Sequence, residues 1–396
     1  MGEVYLVGGI RTPFGKHRGV LSACRPDDLA ALSIKGALES LNVPFDAVNE
    51  VVLGCANQAG EDNRNIARMS LLLAGLPMET PGFTVNRLCA SGLTSVAAGY
   101  LQISAGESDL VVAGGVESMS RAPWVSARPT KAFSGPTEVA DSALGWRFIN
   151  PSMAELDGGD ATVSLGETAE RIAELAGISR ERSDRFAARS HARAVTAAER
   201  GDLDSEIMPI PTAAGEVRRD EGPRSDPSVE GLAQLPPVFR ADGVVTAGSA
   251  SPLSDGAAAV VLASAQALER FSLTPTAVIR GSASSGVAPS LMGLGPVPAT
   301  EKLLARLGLS IDKMDVVEIN EAFAPQVLAC LDQLGVDEER ANVWGGAIAL
   351  GHPLGASGTR LALTASRQLQ ATGGRYALVS LCVGVGQGTS MLLEKP

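Results

Sequence analysis

Aromatic residues are scarce in this 396-residue chain, 4% of the total, and only three histidines occur, at positions 17, 191 and 352. A stacking surface for nucleobases needs aromatic rings set among basic side chains. Neither is at hand, because Asp and Glu outnumber Lys and Arg by 44 to 33 and leave a net charge of -11. That balance argues against nucleic acid or an anionic membrane as the main partner. No apolar run reaches the roughly 18 residues that a membrane-crossing helix needs. The opening Met1-Gly2-Glu3-Val4-Tyr5-Leu6-Val7 lacks a basic stretch followed by a long apolar one, so no secretory leader is expected and the expected location is the cytoplasm. Five cysteines, at 24, 55, 89, 330 and 382, are an odd number without CxxC spacing. Neither a zinc site nor a full disulfide framework is suggested, and reduced thiols and no metal are expected.

What is present is a long, well-patterned globular chain, 45% hydrophobic and 19% charged, with material for two or three domain-sized cores. Strand and helix patterns alternate at both ends: strands at 4–8, 50–54 and 109–115 with helices at 27–40 and 65–74, then strands at 277–281, 315–319 and 376–382 with helices at 299–307, 321–334 and up to 372. Such alternation predicts an α/β layer with a buried sheet. Ala90-Ser91-Gly92 and Ala356-Ser357-Gly358 each open a helix that leads to a glycine-bounded apolar strand, and Glu50-Val51-Val52 and Asp315-Val316-Val317 occupy equivalent places ahead of them. Two similar halves are expected, their helix N-termini facing one pocket. Between them, residues 118–275 are irregular and proline-rich, with a charged, alanine-rich helical patch at 168–200. Residues 118–245 are expected to form an inserted lobe over the pocket, separating a first half at 1–117 (with part of 246–275) from a second at 276–396.

The stretch Val85-Asn86-Arg87-Leu88-Cys89-Ala90-Ser91-Gly92 ends in small residues that permit close backbone approach and leads into a helix. A cysteine at a helix N-terminus meets unpaired N–H groups and the positive end of the macrodipole, so the expectation is a lowered thiol pKa and thiolate at neutral pH. A small buried apolar residue is the other reading. His352 lies in Gly351-His352-Pro353, within a loop whose glycines match neither a dinucleotide nor a phosphate-loop motif. Cys382 precedes Val383-Gly384, where glycine leaves an N–H free to cradle an oxyanion. Asn320, in Asn320-Glu321-Ala322-Phe323-Ala324, reads locally as a helix N-cap. In the basic cluster 217–224, any one arginine serves a surface salt bridge or faces a phosphate.

Taken together and in order, the Cys89 stretch, Gly114-Gly115-Val116-Glu117-Ser118-Met119-Ser120, Val245-Thr246-Ala247-Gly248, Asn320 to Ala324, the glycine loop at 345–358 and Cys382-Val383-Gly384 resemble the thiolase family over nearly the whole chain. The resemblance implies two similar α/β halves in a five-layer αβαβα arrangement with an inserted loop lobe. It implies CoA-dependent cleavage of a 3-ketoacyl-CoA, or the reverse condensation, with no permanently bound cofactor and CoA thioesters as substrates. Cys89 would be the acylated nucleophile and His352 its activator. Cys382 would be the acid/base, Asn320 the holder of an oxyanion-hole water, and the N–H groups of Cys89 and Gly384 the other oxyanion hole. Phe239, Ala247, Ser251, Met292 and Phe323 would border the pantetheine arm, with Arg224 toward the nucleotide. A homotetramer of tight dimers is also implied, with residues 121–136 as the tetramer contact.

Departures are visible as well. Ser251-Pro252 stands where many thiolases have Ser-Gly. Ser164-Leu165-Gly166 stands where acetoacetyl-specific members have His-Met-Gly. The stretches at 54–65 and 145–151 look like the 3-oxoadipyl-CoA subgroup, whose substrate ends in a carboxylate, and Arg64 and Arg147 are the candidate partners for it. An acetoacetyl-CoA-forming acetyltransferase and a non-catalytic acyl-CoA or lipid-binding protein are the alternatives.

Overall fold

The computed structural model describes residues 2–396. Its main sheet is built twice from the same plan. In the first half the strands run Gly82–Val85, Glu50–Gly54, Leu110–Ser118, Ser254–Ser264 and Val4–Arg11; in the second, Val316–Ile319, Tyr376–Val383, Gln387–Glu394 and Ala277–Gly286. Within each half the pairing changes from parallel to antiparallel at the same place. The strand that would complete the second half is reduced to one parallel bridge, Val317 with Ala341. The halves meet edge to edge where Tyr5 and Leu6 pair with Val278 and Ala277.

The helices Ser91–Ala105 and Leu354–Thr372 pack against each other between the two halves, and their Leu93, Val96, Leu361 and Leu369 share one core with Val111, Val260, Val379 and Leu381. Pro26–Ser40 and Ile66–Leu73 cover the outer face of the first half. Pro296–Leu307 and Ala324–Leu334 cover that of the second. Helix, sheet, helices, sheet, helix is the five-layer order expected. The central pair comes close because it crosses on glycines: a Cβ on Gly92 would lie 2.5 Å from the Gly355 carbonyl oxygen, and one on Gly358 2.2 Å from Leu93 N. No side chain fits there.

Two local readings need correction. The patch at 168–200 is two helices, Leu165–Ala176 and Arg180–Arg200, because Gly177 takes φ 64° and closes the first, while Ser179 caps the second. Asn320 caps no helix, since the next one starts at Ala324 with Phe323 before it. Proline at the second position of that helix suits a first turn, where its missing N–H costs nothing.

In the cluster at 217–224, the acidic residues are the anchors. Asp220 takes a two-pronged pair from buried Arg11, at 2.6 and 2.8 Å, while Glu221 accepts from the N–H groups of Lys16 and Val20. Arg218 makes a surface pair with Glu216. All five cysteines are free, and no helix among the described residues is long and apolar enough to cross a membrane.

Candidate active site

Cys89 lies in a single 3₁₀ turn, Leu88–Ala90, that joins strand Gly82–Val85 to helix Ser91–Ala105. The turn is sharp. Leu88 takes φ 44°, a left-handed conformation that costs an ordinary residue on the order of 1 kcal/mol. Side chains hold it: Asn86 Oδ1 accepts from Leu88 N, and Ser91 Oγ accepts from Arg87 N while donating to Leu88 O. The result projects the sulfur into a cavity of about 100 Å³ whose walls include Leu88, Cys89, Glu117, Trp146, Arg147 and Gly384. Trp146 is fixed by an indole N–H bond to Val163 O and lies against Gly384, where an added Cβ would be 2.9 Å from its ring.

The protonation state differs from that expected. Burial pushes the Cys89 thiol up to about 11, and the N–H groups of Gly384 and Cys89 that face the sulfur only partly offset it. Desolvation of the charged form outweighs the helix terminus, so the resting nucleophile is a thiol. The same two N–H groups are the pair that the oxyanion reading requires. Glu117 sits beside them and accepts from Ala56, Asn57 and Gly355 N–H, yet burial still lifts it to about 7. Cys55 and Asp62 gather on its far side.

His352 is buried, and burial first, then the Arg360 charge, pushes it down to about 3, so it is neutral. Its tautomer follows from Ser357. The Ser357 hydroxyl donates its one proton to Pro353 O at 2.9 Å and therefore accepts from His352 Nδ1–H at 2.6 Å. Nε2 is left bare and takes an N–H from Asn320 Nδ2 at 3.3 Å. Asn320 Oδ1 is buried without a protein partner. The backbone is pinned too, since His352 N donates to Ser254 Oγ, which in turn donates to Pro252 O. Ser254 carried no sequence signal of its own, and Ser357 was visible only as part of the helix-opening triplet.

Cys382 lies at the end of strand Tyr376–Val383. Burial first, then the neighbouring Cys89 sulfur, raises its thiol well above the ordinary range. It packs with Met292, Ala322, Leu165 and Phe323. Phe323 meets Phe239 edge to face at 6.2 Å, Ser251 N donates to Ala322 O, and Gly166 lies flat against Phe239. Of the six expected CoA contacts, Phe239, Ser251, Met292 and Phe323 lie close together, and Ala247 is exposed. Arg224 stands apart. It is exposed, its N–H bonds His191 Nδ1, and it borders a separate cavity of about 170 Å³ with Asp226, Leu232 and Leu235. Arg64 is exposed and left-handed at φ 54°, and does not border the Cys89 cavity.

The chain thus has a duplicated αβαβα fold with a buried thiol that faces two N–H donors at the start of a central helix. Residues 4–266 match the N-terminal domain of thiolase and residues 273–395 its C-terminal domain. The chain is 53% identical to a beta-ketoadipyl-CoA thiolase of Pseudomonas aeruginosa, over 99% of each chain. It is 51% identical to the 3-oxoadipyl-CoA/3-oxo-5,6-dehydrosuberyl-CoA thiolase of Escherichia coli K12, over the full length of both. The structure of human mitochondrial 3-ketoacyl-CoA thiolase in complex with CoA superposes with a TM-score of 0.92 at 40% identity, covering 100% of this chain and 98% of that one. The chain belongs to the thiolase family and is an acyltransferase, which removes the non-catalytic alternative.

Proposed function

We propose that the enzyme cleaves 3-oxoadipyl-CoA with CoA, giving acetyl-CoA and succinyl-CoA, and catalyses the reverse condensation. The observations that support it are the Cys89 thiol, which lines a cavity, faces two N–H donors and has the buried Cys382 thiol as a neighbour, and the unprotonated His352 Nε2 held by Asn320, in a chain half identical to thiolases named for that substrate. Cys89 attacks the C3 carbonyl as its proton passes to His352 Nε2, and the N–H groups of Cys89 and Gly384 hold the oxyanion. The C2–C3 bond breaks; the acetyl-CoA enolate takes a proton from Cys382, steadied by His352 and a water on Asn320 Oδ1. Incoming CoA gives its thiol proton to Cys382 and attacks the acyl-Cys89 thioester. Cys89 leaves and recovers its proton from His352. Each oxyanion donor is worth roughly 2.7–4 kcal/mol.

CoA and its thioesters serve as substrates, with no permanent cofactor. Phe239, Ala247, Ser251, Met292 and Phe323 border the pantetheine and Arg224 meets the nucleotide end. The working division is two halves, 1–117 with part of 246–275 and 276–396, around a lobe at 118–245, in a cytoplasmic homotetramer. Exposed Trp124 and Phe133 in the segment at 121–136 favour that segment as the tetramer contact. The test is an assay with 3-oxoadipyl-CoA and CoA. Acetyl-CoA should form, and Cys89→Ala should abolish both turnover and acyl-enzyme labelling; labelling that survives would point to another nucleophile.

A further inference from the structure

The Cys89 cavity has two charged side chains in its wall, and only one of them is satisfied. Glu117 is held by three backbone N–H groups. Arg147 is half-buried and, among the described residues, forms no ion pair with any carboxylate. Its guanidinium reaches only neutral acceptors, Ser142 O and Asn57 Oδ1, both at 3.4 Å. Those contacts lie outside the 2.7–3.2 Å of a well-formed N–H···O bond. Arg11 on Asp220 and Arg121 on Glu61 show the contrast of a guanidinium paired with a carboxylate. Asn57 is itself fixed, its backbone N–H on Glu117 and its Nδ2 on Ser142 Oγ, so Oδ1 holds the guanidinium in place from one side. The remaining wall includes Leu88, Met119, Leu144, Trp146, Leu165 and Leu354. This is a short apolar slot, with a nucleophile and an unpaired planar cation in its wall.

We propose that Arg147 determines specificity by binding the terminal carboxylate of the acyl chain attached to Cys89, so that the enzyme selects 3-ketoacyl thioesters ending in a carboxylate over methyl-ended ones of equal length. The inference rests on the thiolase reading above and names what selects its substrate. A guanidinium fork takes a carboxylate through two parallel charge-assisted bonds. A methyl end would cover the cation without replacing its water, so discrimination comes from both the gained pair and the penalty on the wrong tail. Arg64, exposed and away from this wall, has no part in it.

The test compares kcat/KM for 3-oxoadipyl-CoA and 3-oxohexanoyl-CoA, which share a six-carbon chain, in the wild type, Arg147→Gln and Arg147→Lys. The wild type should favour the carboxylate-ended substrate. Arg147→Gln should lose roughly 10²–10³-fold on it, the effect of removing one partner of a desolvated charge pair, while 3-oxohexanoyl-CoA is cleaved at least as well as before. Arg147→Lys, which keeps the charge and loses the fork, should fall between and covers the case in which the Gln variant does not fold. A wild-type preference that survives in both variants overturns the role of Arg147 and leaves the substrate reading intact. A wild type that prefers the methyl-ended substrate overturns the substrate reading, and this inference with it.

Discussion

At the residue scale the two groups between which the proposed mechanism moves a proton, the Cys89 thiol and the His352 imidazole, are both neutral. With Cys89 near 11 and His352 near 3, a resting thiolate–imidazolium pair is disfavoured, so the proton must move as the carbon–sulfur bond forms. Only thiolate reacts with iodoacetamide, and its fraction rises tenfold per pH unit below the pKa. Alkylation of Cys89 should therefore keep accelerating through pH 9; a plateau near neutral pH would mean that a stable ion pair exists. Ser357→Ala should leave binding intact but free the imidazole to change tautomer, costing about 1 kcal/mol, or roughly fivefold in acylation rate. Restoration by Ser357→Thr, which keeps the hydroxyl, would separate positioning from packing. Cys382→Ser should still allow some acylation while turnover falls at least the ~10²-fold of lost acid/base catalysis. Unchanged turnover would remove Cys382 from the mechanism.

At the scale of elements, two helices and two turns aim these groups. The central helices approach so closely at Gly92, Gly355 and Gly358 that a methyl group has nowhere to go: a Cβ on Gly355 would sit 2.2 Å from Val116 O and 2.6 Å from Gly54 O, both backbone. Gly355→Ala should cost roughly 1–3 kcal/mol, seen as a lower urea midpoint at unchanged m-value, and should reduce kcat by shifting the start of the His352 helix. The second turn carries Gly384, followed by Val385 at φ 59°, a left-handed position unusual for a β-branched residue. Strained residues beside the two N–H groups that face the sulfur, Leu88 before Cys89 and Val385 after Gly384, are a local sign that the backbone serves the cavity.

For the whole molecule, the duplication brings remote stretches to one place. First-half and second-half loops meet because the halves share an edge and their helices cross, so Cys89 becomes a neighbour of Cys382, while Asn320 reaches His352 within the second half. Assembly adds a further level. Edge strand Gly82–Val85 lies close in sequence to exposed Met69, Leu73 and Met78, and exposed Trp124 and Phe133 lie on the lobe. Sedimentation should give a tetramer for the wild type and dimers that keep activity for Trp124→Glu/Phe133→Glu; an unaltered tetramer would move the contact elsewhere.

Strand and helix order, the internal repeat and the family were legible in the residues, and Cys89, His352 and Cys382 could be picked out as candidates, because hydrophobic period, glycine placement and motif spacing are local properties. Boundaries slipped by a few residues, as at Leu354 and Ala324, where proline and glycine loops blur the helix start. The thiol's protonation was misjudged for a different reason: a helix terminus can be read from sequence, whereas the depth at which a sulfur is buried depends on what the other half lays over it. The imidazole tautomer, the orphaned Asn320 oxygen and the position of Arg147, rather than Arg64, in the cavity wall were likewise decided only by tertiary structure. Each depends on which partners come within reach, and those partners lie up to 90 residues apart in the chain.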